Sequence, residues 1–234
     1  MKILALATIM LSLTSSNSNL EVSQKCNKAF EMNLDEAKNQ LSDTKTFQFF
    51  DVLSLEEVQA LDTMKIEFTE LSKRHFFKDC KRNNFEDFLQ SANNDQQTQE
   101  IITPVLQRLC INLSSMSGAT IERSNAIIVD KKRTHDVRHW HIDDKKGDVQ
   151  KWFRVIVNLQ GEGTLFATFN RNKNIEFIQS WSGENQNMVA KEDVRQLQPG
   201  QAVVFDHATA LHSRPETIAP RALMVIDFKS KDRT

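Results

Sequence analysis

The chain has 234 residues and a formal net charge of −1, with 39% hydrophobic and 26% charged residues. This composition is typical of a soluble globular protein. The length is sufficient for one sizeable domain with a buried core. The near-zero net charge gives no broad basic surface, so nucleic acid is not indicated as a partner.

The first 18 residues have the layout of a secretory signal peptide. Lys2 precedes an apolar run from Ile3 to Leu13, and small polar residues follow. The run is about half of the ~20 residues that a membrane-spanning helix needs, so no stable membrane span is predicted. We therefore expect a secreted or periplasmic protein. The alternative is an N-terminal helix of the folded protein, in which case the protein is cytoplasmic.

Residues 19–118 are predicted to be mainly helical. A short aromatic strand is expected in "TFQFFDV", and the following helix begins at Ser54, with Glu57 completing a capping box. Apolar residues then recur at helical spacing as far as His75, which predicts one long amphipathic helix. A second helix is predicted in "EIITPVLQRLCINL", with Pro104 in its first turn. Both helices are expected to pack against a flat surface.

Three cysteines occur in this part of the chain, at Cys26, Cys80 and Cys110. Their number is odd and no pair has the spacing of a zinc site, so no disulfide framework is indicated. Two arrangements stay open: one disulfide with one free thiol, or three reduced thiols.

Residues 119–229 are predicted to be rich in strands. Short segments of branched and aromatic residues are separated by Gly, Asn or Pro, and they include "KWFRVIVNLQ", "GTLFATF", "NIEFIQS", "QAVVFD" and "RALMVIDF". Helices followed by many strands predict an α+β protein, namely a β-sandwich or barrel with helices on its outer face. The helical and strand-rich parts are expected to form one domain.

The segment "RHWHID" carries the most informative side chains. In an extended segment His141 and Asp143 project to the same face, where an imidazole and a carboxylate can bind one metal ion. A third ligand is needed, and His207 and His212 are the histidines that follow. Arg221 then opens an apolar strand, where a buried guanidinium needs an anionic partner.

This ordered set resembles the 2-oxoglutarate- and iron(II)-dependent dioxygenases, in particular a poorly characterised bacterial branch close to the prolyl hydroxylases. "HID" is similar to the family's HxD motif. "LQPGQAVVFDHATALH" is similar to the strand that carries its distal histidine, which selects His212 over His207. Arg221, nine residues beyond His212, is similar to its co-substrate arginine.

The resemblance implies a double-stranded β-helix, or jelly roll, with N-terminal helices packed on one sheet. It implies a metal and catalytic site of His141, Asp143 and His212 that holds iron(II), with Arg221 binding 2-oxoglutarate. The expected activity is oxygen-dependent hydroxylation of a peptide side chain or a small metabolite. Asn158 is a further candidate for binding 2-oxoglutarate if the face of the strand that it shares with Arg154 points inward.

Two alternatives stay open. A cupin-like metal site could use His139, His141 and either His207 or His212, and it would work without 2-oxoglutarate. A jelly roll without catalytic activity could instead bind a ligand or a protein. Arg214 is the rival of Arg221, but its place just after His212 predicts a turn facing solvent.

Overall fold

The computed structural model describes residues 36–68, 72–114, 119–121, 125–130, 140–143, 152–179, 189–215 and 219–230. The predicted signal peptide, residues 1–18, lies outside these ranges. Among the helices within them, none combines the length and the apolar character that crossing a bilayer requires.

The helices of the described ranges are α1 (Leu55–Asp62), α2 (Arg82–Ser91), α3 (Gln96–Ser114) and α4 (Arg171–Gln179), with a 3-10 helix at Lys191–Asp193. The first five strands are β1 (Phe47–Asp51), β2 (Ser72–Phe77), β3 (Ala119–Ile121), β4 (Asn125–Asp130) and β5 (Trp152–Gln160). The others are β6 (Leu165–Ala167), β7 (Val194–Gln196), β8 (Gln201–Asp206), β9 (His212–Ser213) and β10 (Arg221–Ser230).

The strands form two antiparallel sheets. The larger one has the order β1–β8–β5–β10–β4–β2, with β3 also paired to β10. The smaller one has the order β7–β6–β9. Neighbours in the larger sheet are mostly far apart in sequence, so long-range pairing determines which side chains meet.

The outer face of the larger sheet carries the main core. Along β5, Phe153, Val155, Val157 and Leu159 belong to the same buried cluster as the apolar residues of α2 and α3. Because side chains alternate along a strand, one face of β5 is apolar and covered by helices. The expected packing of the helices against a flat surface is therefore observed.

The opposite face of the larger sheet packs on the smaller sheet. Ile156 of β5, Phe205 of β8 and Leu223 of β10 are buried there together with Phe166 of β6. Phe166 is fully buried, and its ring centroid lies 5.1 Å from that of Phe205. This second core holds the two sheets together next to the site described below.

The long helix predicted from Ser54 to His75 is wrong in its second half. The capping box is present, since the Ser54 backbone N–H donates to Glu57 Oε2 (2.9 Å) and the Glu57 N–H donates to Ser54 Oγ (3.3 Å). However, α1 ends at Asp62, and His75 lies in β2, which pairs with β4. Met64, Ile66 and Phe68 are buried at every second position in a segment that is neither helix nor strand, and the pairing of β2 with β4 begins at Ser72. Long-range pairing thus overrides the helical spacing of the apolar residues.

Two further local predictions are wrong. "NIEFIQ" lies in helix α4 rather than in a strand; the Lys173 backbone N–H donates to Asn170 Oδ1 (2.9 Å), which caps the helix start. Pro104 is the ninth residue of α3 rather than part of its first turn. It is tolerated there because Pro104 and Glu100 both lie on the exposed side, where the carbonyl that loses its N–H partner can be solvated.

A disulfide joins Cys80 to Cys110, with a Cα–Cα distance of 5.5 Å. It ties the segment after β2 to α3, which packs on the larger sheet. Of the two arrangements left open by the sequence, the structure therefore has the one with a disulfide; Cys26 lies outside the described residues.

Candidate active site

The two histidines of the predicted metal site are cross-strand neighbours. The His141 N–H donates to the His212 carbonyl (2.9 Å), and the His212 N–H donates to the His141 carbonyl (3.0 Å). Side chains of directly opposed residues lie on the same face of a sheet, and here the ring centroids are 4.3 Å apart. The pairing of β9 with residue 141 thus brings together imidazoles that are 71 positions apart.

Asp143 completes the group because it lies two residues beyond His141 on the same face. Its Oδ1 lies 3.8 Å from His141 Nε2 and 3.7 Å from His212 Nε2. One ligand atom from each of the three residues lies within 4.8 Å of the others. The structure therefore brings the three predicted ligands to one point.

His212 is set up to offer Nε2 to a metal. It is 5% exposed, and its Nδ1 lies 3.1 Å from the Ala210 carbonyl, so Nδ1 carries the hydrogen and Nε2 the lone pair. Burial, opposed by the negative charge of Asp143, lowers the pKa of His212 to about 4. The imidazole is therefore neutral near pH 7, which is the form that binds metals.

The group lies in a cavity of about 510 Å³ between the inner face of the larger sheet and β9. Strands β2, β4, β5 and β10 provide most of its wall. Its charged and polar lining consists of Ser72, Arg74, Asp130, His141, Asp143, Arg154, Thr164, His212, Ser213, Arg214, Arg221 and Asp227. This size is sufficient for a small molecule.

Arg221 lies in the same cavity and is 4% exposed. It stands directly opposite Asp130 in the β10–β4 pair, and its Nε and Nη2 donate to Asp130 Oδ2 at 3.3 and 3.1 Å. Burial lowers the pKa of Arg221, and the Asp130 charge opposes that effect. The anionic partner that a buried guanidinium needs is thus supplied by the protein, with Ser72 Oγ bonded to Asp130 Oδ1 (3.0 Å).

Arg214 does not occupy the solvent-facing turn predicted for it. It lines the cavity, its side chain is 25% exposed, and its Nε lies 3.7 Å from Asp130 Oδ2. The cause is the position of β9, which places the residues after His212 against the inner face of the larger sheet. Two guanidinium groups therefore share one carboxylate.

An ion-pair network that the sequence prediction missed adjoins the three ligands. Arg154 donates from Nη1 to Asp143 Oδ2 (2.8 Å) and from Nε and Nη2 to the two oxygens of Asp227 (2.6 and 3.1 Å). His207 Nε2 lies 3.2 Å from Asp227 Oδ1. Burial acts to raise the pKa of Asp227, but hydrogen bonds from His207 and Arg154 outweigh it and hold that pKa well below its usual range.

A signal for this network is visible in the sequence. Arg154 is the single charge in "WFRVIVNL", and Asp227 is a charge of opposite sign at the end of the apolar run "ALMVIDF". Buried charges are costly unless paired, so each of them predicts a partner. Their direct opposition in the β5–β10 register shows that they are partners of one another.

Asn158 lies on the same face of β5 as Arg154, and this face points inward, but the two residues have different surroundings. Asn158 is fully buried, and its Nδ2 donates to the carbonyls of Gly161 (2.9 Å) and Leu197 (3.3 Å). It is not among the cavity-lining residues in the described part of the chain. Its contact with 2-oxoglutarate stays a prediction.

The residues of the cupin-like alternative are only partly placed. His139 lies outside the described residues. His207 points its Nε2 at Asp227, and the cluster of potential ligands found among the described residues contains Asp143 rather than His207. The geometry thus favours a set of two histidines and one carboxylate.

No family model and no curated protein matches the chain. Similar solved structures include HygX from Streptomyces hygroscopicus with nickel and 2-oxoglutarate bound (13% identity, 82% of this chain, 85% of HygX, TM-score 0.47). Others are EvdO2 from Micromonospora carbonacea var. aurantiaca with 2-oxoglutarate (14%, 80% and 87%, 0.41) and a Pseudomonas putida prolyl-4-hydroxylase (11%, 80% and 94%, 0.40). The likeness is distant.

Proposed function

We propose that the chain is an iron(II)- and 2-oxoglutarate-dependent oxygenase with a double-stranded β-helix fold. One observation carries the proposal: the Nε2 atoms of His141 and His212 converge on Asp143 Oδ1 in a cavity that also contains the buried Arg221. Two imidazoles and one carboxylate, with other positions left open, are the ligand set of non-haem iron(II) oxygenases.

The residues present fit the metal. Both histidines direct Nε2 at the same carboxylate oxygen, and His212 is neutral and held in place by Ala210. Asp143 has its second oxygen bonded to Arg154, so Oδ1 is the oxygen left to bind the metal. His141, Asp143 and His212 would therefore hold iron(II) on one side and leave the cavity side open to other ligands.

Arg221 would bind the distal carboxylate of 2-oxoglutarate. A guanidinium has five N–H groups, and three contacts from Arg221 are seen among the described residues: two to Asp130 and one, at 3.5 Å, to the Glu162 carbonyl. The remaining donors on Nη1 and Nη2 form the outer edge of the fork, which suits a carboxylate. Asp130 and Ser72 would keep that fork in a fixed orientation.

Iron(II) and 2-oxoglutarate together supply oxygen activation that is coupled to the oxidative decarboxylation of 2-oxoglutarate to succinate. The protein binds and orients the reactants and limits the access of water. The side of the cavity formed by β2 and β4, with Arg74, Phe76 and Ile128, is available to the substrate. A peptide side chain and a small metabolite are the two substrate classes proposed.

Turnover of 2-oxoglutarate tests this function directly. Protein loaded anaerobically with iron(II) and then exposed to oxygen should convert 2-oxoglutarate to succinate slowly even without substrate, and omission of iron should stop the conversion. Succinate is measured by mass spectrometry. Metal binding without any binding of 2-oxoglutarate would instead support the cupin-like alternative, and failure to bind metal would support a binding protein without catalytic activity.

Replacing Arg221 with alanine should weaken 2-oxoglutarate binding about 30- to 150-fold, since one charge-assisted pair is worth about 2–3 kcal/mol. Arg221→Lys should fall in between, because lysine keeps the charge but loses the fork. Calorimetry on the metal-loaded protein measures both. Arg214→Ala is the matched control, as it removes the other guanidinium next to Asp130. If Arg214→Ala weakened 2-oxoglutarate binding more than Arg221→Ala did, Arg214 rather than Arg221 would be the residue that binds the distal carboxylate.

A further inference from the structure

Asp143 Oδ2 accepts a hydrogen bond from Arg154, and Arg154 is itself held in position by Asp227. Arg154 uses Nη1 for Asp143 Oδ2 and the rest of its fork for Asp227. Asp227 is 9% exposed and also contacts His207, so it cannot turn toward solvent without breaking three contacts. Arg154 is thus anchored to β10 while it reaches the ligand.

This arrangement restricts how Asp143 can bind a metal. A carboxylate can bind a cation through one oxygen or through both. Here Oδ2 is engaged by Arg154 at 2.8 Å, and Oδ1 faces both imidazoles. If Oδ2 were released, it could bind the metal as well and take a position that the ligand set otherwise leaves open.

We propose that Arg154, anchored by Asp227 and His207, is a positioning residue that keeps Asp143 a one-oxygen metal ligand. The proposal rests on the proposed function only in the identity of the metal, because any divalent ion bound by His141, Asp143 and His212 would meet the same restriction. Asp227 acts through Arg154, since the pair are direct neighbours across β5 and β10. His207 is the outermost member and has the smallest effect.

The test uses Co(II), whose visible absorption depends on the number and geometry of its ligands. Arg154→Gln should change the Co(II) spectrum, because the released Oδ2 can then join the ligands. It should also weaken Co(II) binding about 10- to 100-fold, because Asp143 loses the partner that orients it, and this loss outweighs the added contact. Asp227→Asn should change both in the same direction but less. The double variant should match Arg154→Gln alone, because a residue that acts through another adds nothing once that residue is gone.

Three comparisons keep the test informative. Arg154→Lys retains a cation beside Asp143 and should restore part of the affinity and spectrum, which a residue needed only for folding would not show. Arg82→Gln removes an exposed arginine, paired with Glu86 on α2, and should leave both unchanged. Melting temperatures identify variants that do not fold.

The proposal is overturned if folded Arg154→Gln keeps the wild-type Co(II) spectrum and affinity. It is equally overturned if the effects of Arg154→Gln and Asp227→Asn multiply in the double variant. Both readouts are obtained without 2-oxoglutarate. Failure of the proposed function, seen as no 2-oxoglutarate binding, is therefore distinct from failure of this inference.

Discussion

Replacing His141 with alanine is expected to abolish useful metal binding. The affinity for the metal should fall by more than about 100-fold, because loss of a residue that only supports a ligand already costs up to about that much. Only His212 and Asp143 would then face the metal. The side chain of His141 is 44% exposed, so its removal leaves little buried space and should not unfold the protein. Calorimetric titration with iron(II) under anaerobic conditions measures the loss, and succinate formation should fall with it.

His75→Gln is the matched control for this prediction. His75 also lies in a strand, but its Nε2 contacts the Asn84 carbonyl (2.8 Å) at the β2 edge of the larger sheet, away from the metal ligands. Metal affinity should therefore stay at the wild-type level in this variant. Unchanged affinity in His141→Ala would remove the basis for the metal site.

The variants Asp143→Ala and His207→Ala together decide between the two candidate ligand sets, namely the triad with Asp143 and the cupin-like set with His207. The triad predicts loss of metal binding in Asp143→Ala and at most a modest change in His207→Ala, because His207 contacts Asp227 rather than the ligands. The cupin-like alternative with His207 as ligand predicts the reverse order of effects.

Replacing Phe166 with alanine is expected to lower the free energy of unfolding by about 3–5 kcal/mol, as for other fully buried phenylalanines. Its ring lies between the sheets, with centroids of Phe47, Phe205 and His212 at 5.0, 5.1 and 5.6 Å. Removal of the ring leaves a cavity between the sheets. The cavity cannot close, because the strands on both sides are held in place by their pairing. Urea denaturation measures the change.

Phe76→Ala provides the control for this prediction, because Phe76 is 57% exposed and should cost well under 1 kcal/mol by the same reasoning. Phe166→Ala should also weaken metal binding, since the Phe166 ring stacks on His212. A loss below about 1 kcal/mol would mean that the contact between the sheets contributes little to stability.

Ionisable residues that face each other across neighbouring strands organise the site. Arg221 opposes Asp130, Arg154 opposes Asp227, and His141 opposes His212. Each pair lies on the inner face of the larger sheet or at its contact with β9. The cost of burying the two ion pairs is thus offset within the larger sheet itself, and the side chains stay preorganised for an anion or a metal.

Several features followed from short stretches of sequence because neighbouring residues alone determine them. The capping box of Ser54 and Glu57 is a local exchange of hydrogen bonds. Most strands were visible as short runs of branched and aromatic residues between turn signals. His141 and Asp143 share a face because side chains alternate in an extended segment.

Other features depend on which strands pair, and that is decided by the folded chain as a whole. The segment Ser72–Phe77 is a strand rather than the end of the predicted helix because β2 pairs with β4, and Asn170 caps α4 in a segment that was predicted as a strand. The sequence by itself determined the chemistry of the ligands and the alternation of buried and exposed faces. Only the tertiary structure decided that Arg154 meets both Asp227 and Asp143, and that Arg214 joins Arg221 at Asp130, because register between distant strands is set by the packing of the whole sheet.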